Sequence, residues 1–230
     1  MESIKEVLEN QDKLEPNATD VEPSYQYAPD LKAVVFDIYG TMLVSASGDV
    51  DEASMLTSSI KKALQAADII PRVNGRNAGD IYWKILQMHK KGIKDEQERL
   101  RSDDRPYPEV DILQVCSNTL HKAHDEGLLL FNNGTDCSKV VFMFELLSNP
   151  VGAMPGLRNI ISNLHAGNVP LGIVSNAQFY TPAILNYYLN GELENTENVV
   201  PFDPDISVFS YKELRGKPDT RLFNLLVPVL

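Results

Sequence analysis

The sequence has few cysteines and no long apolar run, and each shortage excludes a class of protein. Its 230 residues include only two cysteines, Cys116 and Cys137, without CxxC spacing, so neither a disulfide scaffold nor a zinc knuckle is expected. No apolar run approaches the roughly 18 residues that span a bilayer, and the polar, acidic first residues do not resemble a secretory signal. The sequence therefore predicts a cytoplasmic protein without a membrane partner.

Basic residues are also in short supply. Lys and Arg total 21 against 32 Asp and Glu, which gives a net charge of −11. This balance argues against general binding to nucleic acids, because their phosphates attract basic proteins. The hydrophobic fraction of 43% and the charged fraction of 23% are typical of a globular chain with a core. The expected partner is a small molecule, and an anionic substrate would need local cations at its site.

The pattern of apolar residues divides the chain into three parts. Residues 1–30 carry prolines among acidic and amide side chains, after a short amphipathic stretch at 4–8. This predicts an acidic leader that is partly helical and partly disordered. Residues 31–44 and 148–230 alternate between short β-branched runs and amphipathic segments, an order typical of right-handed parallel crossovers. Residues 45–147 show only helical spacing. The predicted fold class is α/β, a parallel sheet core interrupted by an inserted helical domain.

Polar residues stand where the predicted strands end. Asp37 closes the first strand, Ser175 closes the second, and Lys217 follows the third after a short loop. In an open parallel sheet, ligands bind beyond the carboxyl ends of the strands. An aspartate there, with Gly40 allowing a tight turn and Thr41 able to cap or orient, is placed as a covalent nucleophile. Taken singly, a turn or cap explains Asp37 and Ser175, and a solvated surface position explains Lys217.

Further residues are candidates for binding a substrate. Asn176 follows Ser175, and the hydroxyl with the backbone N–H groups after it could bind oxyanions. Arg72 and Arg76 lie in a Pro/Asn/Gly-rich loop. If that loop overhangs Asp37, either guanidinium could hold a substrate carboxylate through its fork. A solvated surface position is the alternative for both arginines, and the histidines, without metal-ligand spacing, are expected to be structural.

In combination, these residues resemble the motifs of a known family. The chain has Asp-Ile-Tyr-Gly-Thr at 37–41, a hydrophobic strand ending in Ser-Asn at 175–176, and Gly-Lys-Pro-Asp at 216–219. Over residues 31–230 the chain resembles the haloacid dehalogenase-like hydrolase superfamily. That family has four sequence motifs, and these three segments match the first three. The helical insert at 45–147 resembles the cap that this family carries between its first and second motifs.

The resemblance implies a fold and a mechanism. The core would be Rossmann-like, and Asp37 would attack the substrate to form a covalent aspartyl intermediate that water then hydrolyses. Ser175 would bind the leaving or transferring group, and Lys217 would hold the nucleophile and stabilise charge. The helical cap domain would close over the site and exclude water, as lids commonly do.

One departure from the family pattern bears on the reaction. Where the family's phosphatases have a second aspartate as acid and base, this chain has Tyr39. A phenol with a reference pKa of about 10 is a poor replacement. Tyrosine here is typical of the family's dehalogenases, whose halide leaving group needs no proton and whose chemistry needs no Mg²⁺. A 2-haloacid dehalogenase-type reaction without a cofactor is therefore predicted. Two alternative functions remain, a Mg²⁺-dependent phosphatase and a catalytically silent binding protein. Tyr39 would then have only a packing role.

A second departure concerns the family's fourth motif, an acidic cluster after a further strand. The only acidic residue after Lys217 is Asp219, better placed in the first turn of a helix beginning near Pro218. A Mg²⁺ site would be left with Asp37 and a backbone carbonyl, too few ligands for an octahedral cation. We therefore expect a C-terminal truncation of a longer protein. The strand at 33–36 would then be an unpaired edge that favours self-association.

Overall fold

The computed structural model describes most of the chain, namely residues 3–11, 14–18, 20–22, 24, 26, 31–46, 52–132, 134–193 and 198–226. The chain divides into two compact units. The helical unit comprises Met1–Asp12 and Ala46–Pro150, and the sheet unit comprises Lys13–Ser45 and Val151–Leu230. Among the described helices, none combines the length and the apolar character needed to cross a membrane.

The elements follow one another in a mixed α/β order. The strands are β1 Val34–Phe36, β2 Leu43–Ser45, β3 Ile70–Pro71, β4 Leu129–Leu130, β5 Val151–Ala153, β6 Leu171–Ser175 and β7 Ser207–Phe209. The helices are α1 Ile4–Asn10, α2 Glu52–Ala66, α3 Ala78–Leu100, α4 Ile112–Asp125, α5 Cys137–Ser148, α6 Leu157–Ala166, α7 Thr181–Asn190, α8 Ser210–Glu213 and α9 Arg221–Asn224.

A parallel sheet forms the centre of the sheet unit. Strand β6 lies between β1 and β7 and pairs with both in parallel, with Val35 opposite Gly172. All residues of β6 are buried, as expected for a strand covered on both faces. Gly172 is required by packing, because a Cβ atom there would overlap the carbonyl oxygen of Ile206. The predicted α/β fold, a Rossmann-type parallel sheet with an inserted helical region, is confirmed.

Strand β1 lies at one edge of this sheet. In the part of the chain that the structure describes, it pairs with β6 alone, and its residues are half-buried. The short strands β2 and β5 pair separately and antiparallel, with Leu43 opposite Ala153. An edge with unpaired backbone groups is a site at which another chain can pair. Self-association through β1 stays a prediction.

The last described helix begins later than the sequence predicts. It starts at Arg221 rather than near Pro218. The carboxylate of Asp219 accepts hydrogen bonds from the Arg221 backbone N–H at 3.0 Å and from Arg215 Nη1 at 3.1 Å. The Asp219 N–H in turn donates to the Gly216 carbonyl at 3.0 Å. These bonds hold the preceding residues in a turn, so Asp219 precedes the helix instead of lying in its first turn.

The helical unit is built from α2, α3, α4 and α5, which pack on one another. Side chains of Asn77, Asp111 and Asp136 accept backbone N–H groups at the starts of α3, α4 and α5. One short ladder was not predicted, since β3 and β4 pair antiparallel through two residues each. Two residues are too few to produce an alternating pattern in the sequence.

The start of the chain forms a short helix over the amphipathic stretch of the predicted leader. Helix α1 packs against α5, and its Val7 and Leu8 are buried. A capping box between Ser3 and Glu6 begins the helix. Just after its end, Gln11 Nε2 donates to the Leu146 carbonyl at 2.7 Å. Residues 4–11 are therefore part of the helical unit, because their apolar face is covered by α5.

Candidate active site

The central feature of the sheet unit is an ion pair at the carboxyl end of the parallel sheet. Asp37 directly follows β1, and its Oδ2 lies 2.6 Å from Lys217 Nζ. The Lys217 ammonium also donates to the Val174 carbonyl at 3.3 Å, and Asp37 Oδ1 accepts the Ile38 N–H at 2.8 Å. The Asp37 side chain is 38% exposed and that of Lys217 22%. Both carboxylate oxygens are thus held, yet the group is accessible to a small molecule.

A tight turn carries the chain away from Asp37. The Ile38 carbonyl accepts the backbone N–H groups of Thr41, Met42 and Leu43. Gly40 has a φ of 80°, in the left-handed region that favours glycine. Its N–H donates to the Leu43 carbonyl at 2.8 Å. Thr41 is exposed in this turn. Its predicted part in catalysis stays a prediction.

The loop after β6 holds Lys217 through Asn176. Asn176 Oδ1 accepts the Lys217 backbone N–H at 2.7 Å, and Asn176 Nδ2 donates to the Lys217 carbonyl at 3.4 Å. Ser175 is buried, and its hydroxyl donates to the Asn176 carbonyl at 3.4 Å. The sequence suggested substrate binding for Asn176. In the structure, Asn176 holds the backbone of the lysine that pairs with Asp37, and substrate binding by Asn176 stays a prediction.

Ser210, which sequence reasoning missed, fixes the same loop. It follows β7 directly, and its side chain is fully buried. Ser210 Oγ accepts the Ala177 N–H at 2.9 Å and donates to the Ala177 carbonyl at 3.1 Å. One hydroxyl therefore satisfies both backbone groups of a buried loop residue. One signal in the sequence could have identified Ser210. It is a small polar residue directly after an apolar strand, just as Asp37 directly follows β1.

Tyr39 contacts the start of helix α7. Its hydroxyl lies 3.1 Å from Thr181 Oγ1, and that oxygen also accepts the Gln178 N–H at 3.2 Å. Thr181 is fully buried, whereas Tyr39 is half-buried. The phenol is thus oriented by a hydrogen bond within the sheet unit. Thr181 was not among the predicted site residues.

The chain was compared with family models, curated proteins and solved structures. No family model matches the sequence, and no curated protein matches it. Among solved structures, the chain is similar to the L-2-haloacid dehalogenase RSc1362, with 18% sequence identity over 86% of this chain and 72% of that chain. The TM-score is 0.38.

The donor atoms around Asp37 do not fit a magnesium site. Within the described ranges, no group of three or more His, Cys, Asp or Glu side chains is arranged to hold a metal ion. Asp37 Oδ2 is engaged by Lys217, and the Asp219 carboxylate is engaged by Arg215 and the Arg221 N–H. Mg²⁺ requires octahedral oxygen ligands. The oxygen atoms of Asp37 and Asp219 are thus too few and too engaged to hold Mg²⁺.

The two candidate arginines belong to the helical unit. Arg72 and Arg76 are both exposed in the loop between β3 and α3. The Arg72 N–H donates to the Leu128 carbonyl at 2.8 Å, which ties the start of that loop to the segment before β4. The guanidinium groups are accessible to a ligand. Their binding of a substrate carboxylate stays a prediction.

Proposed function

We propose that the chain is a hydrolase of the haloacid dehalogenase-like type, with Asp37 as its nucleophile and a small 2-haloacid as its substrate. The observation that carries this proposal is the contact of 2.6 Å between Asp37 and Lys217 at the carboxyl end of the sheet. The two residues are far apart in sequence, and both side chains are only partly exposed. A carboxylate beside a fixed cation can act as a nucleophile while the cation stabilises charge on the reacting substrate.

The proposed reaction has two steps. A carboxylate oxygen of Asp37 attacks the halogen-bearing carbon, a C–O bond forms, and the halide leaves with the electron pair of the C–X bond. Water then adds to the carboxyl carbon of the resulting aspartyl ester. The 2-hydroxy acid leaves, a proton is released, and the Asp37 carboxylate is regenerated. Each carboxylate oxygen carries two lone pairs, so its present hydrogen bonds leave one for the attack.

Tyr39 supports a halide over a phosphate ester as the reacting group. An alkoxide leaving from phosphate needs a proton, and losing a general acid typically lowers the rate by about 10² to 10⁴. A leaving halide needs no proton. The Tyr39 hydroxyl is already hydrogen-bonded to Thr181 at 3.1 Å, which favours an orienting role. Within the sheet unit, Lys217 is the candidate cation for holding the substrate carboxylate.

The substrate class is tested by measuring two leaving groups side by side. Chloride release from 2-chloropropionate is compared with phosphate release from a panel of sugar and nucleotide phosphates, each with and without a chelator. We expect chloride release that the chelator does not change. Chelator-sensitive phosphate release without chloride release would instead support the Mg²⁺-dependent phosphatase, and release of neither ion would support a catalytically silent protein.

The nucleophile is tested with a matched pair of variants. Asp37→Asn is nearly isosteric and should reduce turnover to the background rate, while circular dichroism remains that of the parent. Asp205→Asn removes the same charge from an exposed residue before β7, at the amino end of the sheet, and should keep the parent rate. Equal activity of Asp37→Asn and the parent would refute the proposed mechanism.

A further inference from the structure

The helical unit contains a cavity that the proposed hydrolysis does not use. It lies among α2, α3, α4 and α5 and has a volume of about 250 Å³. Each of the four helices contributes aliphatic walls, represented by Ile60, Ile85, Leu120 and Val141. None of its lining residues is among the candidate catalytic residues. The cavity is therefore a separate feature whose ligand chemistry can be read from its walls.

The size of the cavity sets the size of a ligand. An engineered cavity of about 150 Å³ lined by aliphatic and aromatic side chains binds benzene. The cavity of this chain is larger, at about 250 Å³. The difference of roughly 100 Å³ is room for about three more non-hydrogen atoms, since a water molecule occupies about 30 Å³ of the liquid. One aromatic ring with a short substituent matches this space.

The polar groups of the wall do not favour a charged ligand. Thr119 Oγ1 already donates to the Val115 carbonyl at 2.8 Å. Burial raises the pKa of the Cys116 thiol to about 12, so it is protonated and uncharged at neutral pH. Glu145 Oε1 accepts a hydrogen bond from Asn149 at 3.1 Å. Lys90 also lines the cavity but is exposed to solvent, and its charge is opposite to that of Glu145. A charged ligand placed against the apolar walls would lose its hydration.

His89 gives the cavity a polar position. Its ring packs edge-on against Phe144, with 6.4 Å between the ring centroids. Burial lowers the pKa of His89 to about 4, so at neutral pH the imidazole has one donor nitrogen and one acceptor nitrogen. Among the residues that the structure describes, no side chain or backbone group hydrogen-bonds to this ring. A ligand hydroxyl would supply the partner that the protein does not.

We propose that this cavity binds a neutral, singly hydroxylated aromatic molecule with a short alkyl group, whose hydroxyl hydrogen-bonds to His89. The ring and the alkyl group occupy the aliphatic part of the cavity. The hydroxyl is directed to the histidine at its wall.

The proposal is tested with three probes of matched shape. Binding of 4-ethylphenol, ethylbenzene and 4-ethylbenzoate to the full chain is measured by calorimetry and by amide chemical shifts. We expect saturable one-to-one binding of 4-ethylphenol, with ethylbenzene weaker by roughly 2- to 10-fold, the value of one net hydrogen bond. The carboxylate of 4-ethylbenzoate should bind more weakly than 4-ethylphenol, because its charge loses hydration against the apolar walls. Absence of saturable 4-ethylphenol binding, or equal affinity for ethylbenzene, would overturn the proposal.

Two histidine variants test the polar contact. His89→Phe keeps an aromatic ring beside Phe144 and should abolish the preference for 4-ethylphenol over ethylbenzene. His124→Phe is the control, because His124 is an exposed residue of α4 that packs on Phe131 outside the cavity. The control should bind all three probes as the parent does. A preference that survives in His89→Phe would refute the assigned hydrogen bond.

Two filling variants locate the bound molecule. Cys116→Met on α4 and Val141→Phe on α5 each add volume to a lining residue. Both should weaken 4-ethylphenol binding at least tenfold while far-UV circular dichroism stays that of the parent. The two variants lie on different helices because overpacking at either site can disturb folding. If one variant does not fold, the other still tests the location of the ligand. Parent-like affinity in a folded filling variant would overturn the proposal, because the ligand would then bind elsewhere.

Discussion

Substitution of Ser210 by alanine should destabilise the sheet unit far more than an ordinary serine substitution. The side chain is fully buried and serves both backbone groups of Ala177, accepting from its N–H at 2.9 Å and donating to its carbonyl at 3.1 Å. Alanine fits the same space and cannot replace either bond. The change therefore isolates the hydrogen bonds from the packing.

The magnitude follows from the groups left without this partner. A buried donor or acceptor that loses its partner costs about 1 to 3 kcal/mol. With two backbone groups affected at Ala177, the free energy of unfolding should fall by about 2 to 6 kcal/mol. Ser207→Ala is the matched control, because its hydroxyl makes one bond, to the Asp203 carbonyl at 2.7 Å, at a more exposed position. The free energy of unfolding of Ser207→Ala should fall by less than about 1 kcal/mol, since water can replace the Ser207 hydroxyl as the partner of the Asp203 carbonyl.

Urea unfolding followed by far-UV circular dichroism measures both losses. Amide hydrogen exchange adds a local readout, because the Ala177 N–H should exchange faster in Ser210→Ala than in Ser207→Ala. The only tryptophan, Trp83, lies in α3 of the helical unit, so its fluorescence separates effects on that unit. A loss below about 1 kcal/mol for Ser210→Ala, with unchanged exchange at Ala177, would refute the reasoning.

Three further substitutions have defined outcomes. Gly172→Ala should lower the free energy of unfolding by about 3 kcal/mol or more, because its Cβ would overlap the Ile206 carbonyl, and a loss under about 1 kcal/mol in urea would contradict this packing. Burial lowers the pKa of His89 from 6.5 to about 4, so between these pH values the unfolded chain binds more protons than the folded chain. The free energy of unfolding should therefore fall by about 3 kcal/mol as the pH drops from 6.5 to 4. His89→Phe should flatten that part of the stability profile, and an unchanged profile would argue against a buried neutral ring. Asn176→Ala should lower kcat about tenfold or more by releasing the Lys217 backbone, and parent-like halide release would exclude this positioning role.

The sequence predicted the parallel part of the fold because buried parallel strands have a simple signature. The apolar run at 169–176 contains β6, and the segment at 206–210 contains β7. Helices α6 and α7 follow from apolar residues at helical spacing. The two antiparallel ladders, β2 with β5 and β3 with β4, were missed, since their pairing depends on contacts between distant segments and leaves no periodic pattern.

The candidate site was predictable to a similar extent. Asp37 and Lys217 stand after predicted strands, and a parallel sheet brings strand ends together, so their contact follows from topology. The hydrogen bonds that orient Asp37 and Lys217 cannot be predicted from the topology. Thr181 beside Tyr39 and Ser210 beside Ala177 are small polar residues whose partners lie on other elements, and no spacing in the sequence identifies such pairs.

The hydrogen bonds of the sheet unit form a continuous path to the proposed nucleophile. Ser210, after β7, holds Ala177; the neighbouring Asn176 holds the backbone of Lys217; and the Lys217 ammonium contacts Asp37 after β1. Each strand end is thus fixed by a residue that follows another strand. Because Lys217 lies in a turn rather than in a regular element, its position depends on this path more than on its own backbone. The Lys217 ammonium, which would stabilise charge in the proposed reaction, is therefore held in place by Asn176 after β6 and, through Ala177, by Ser210 after β7.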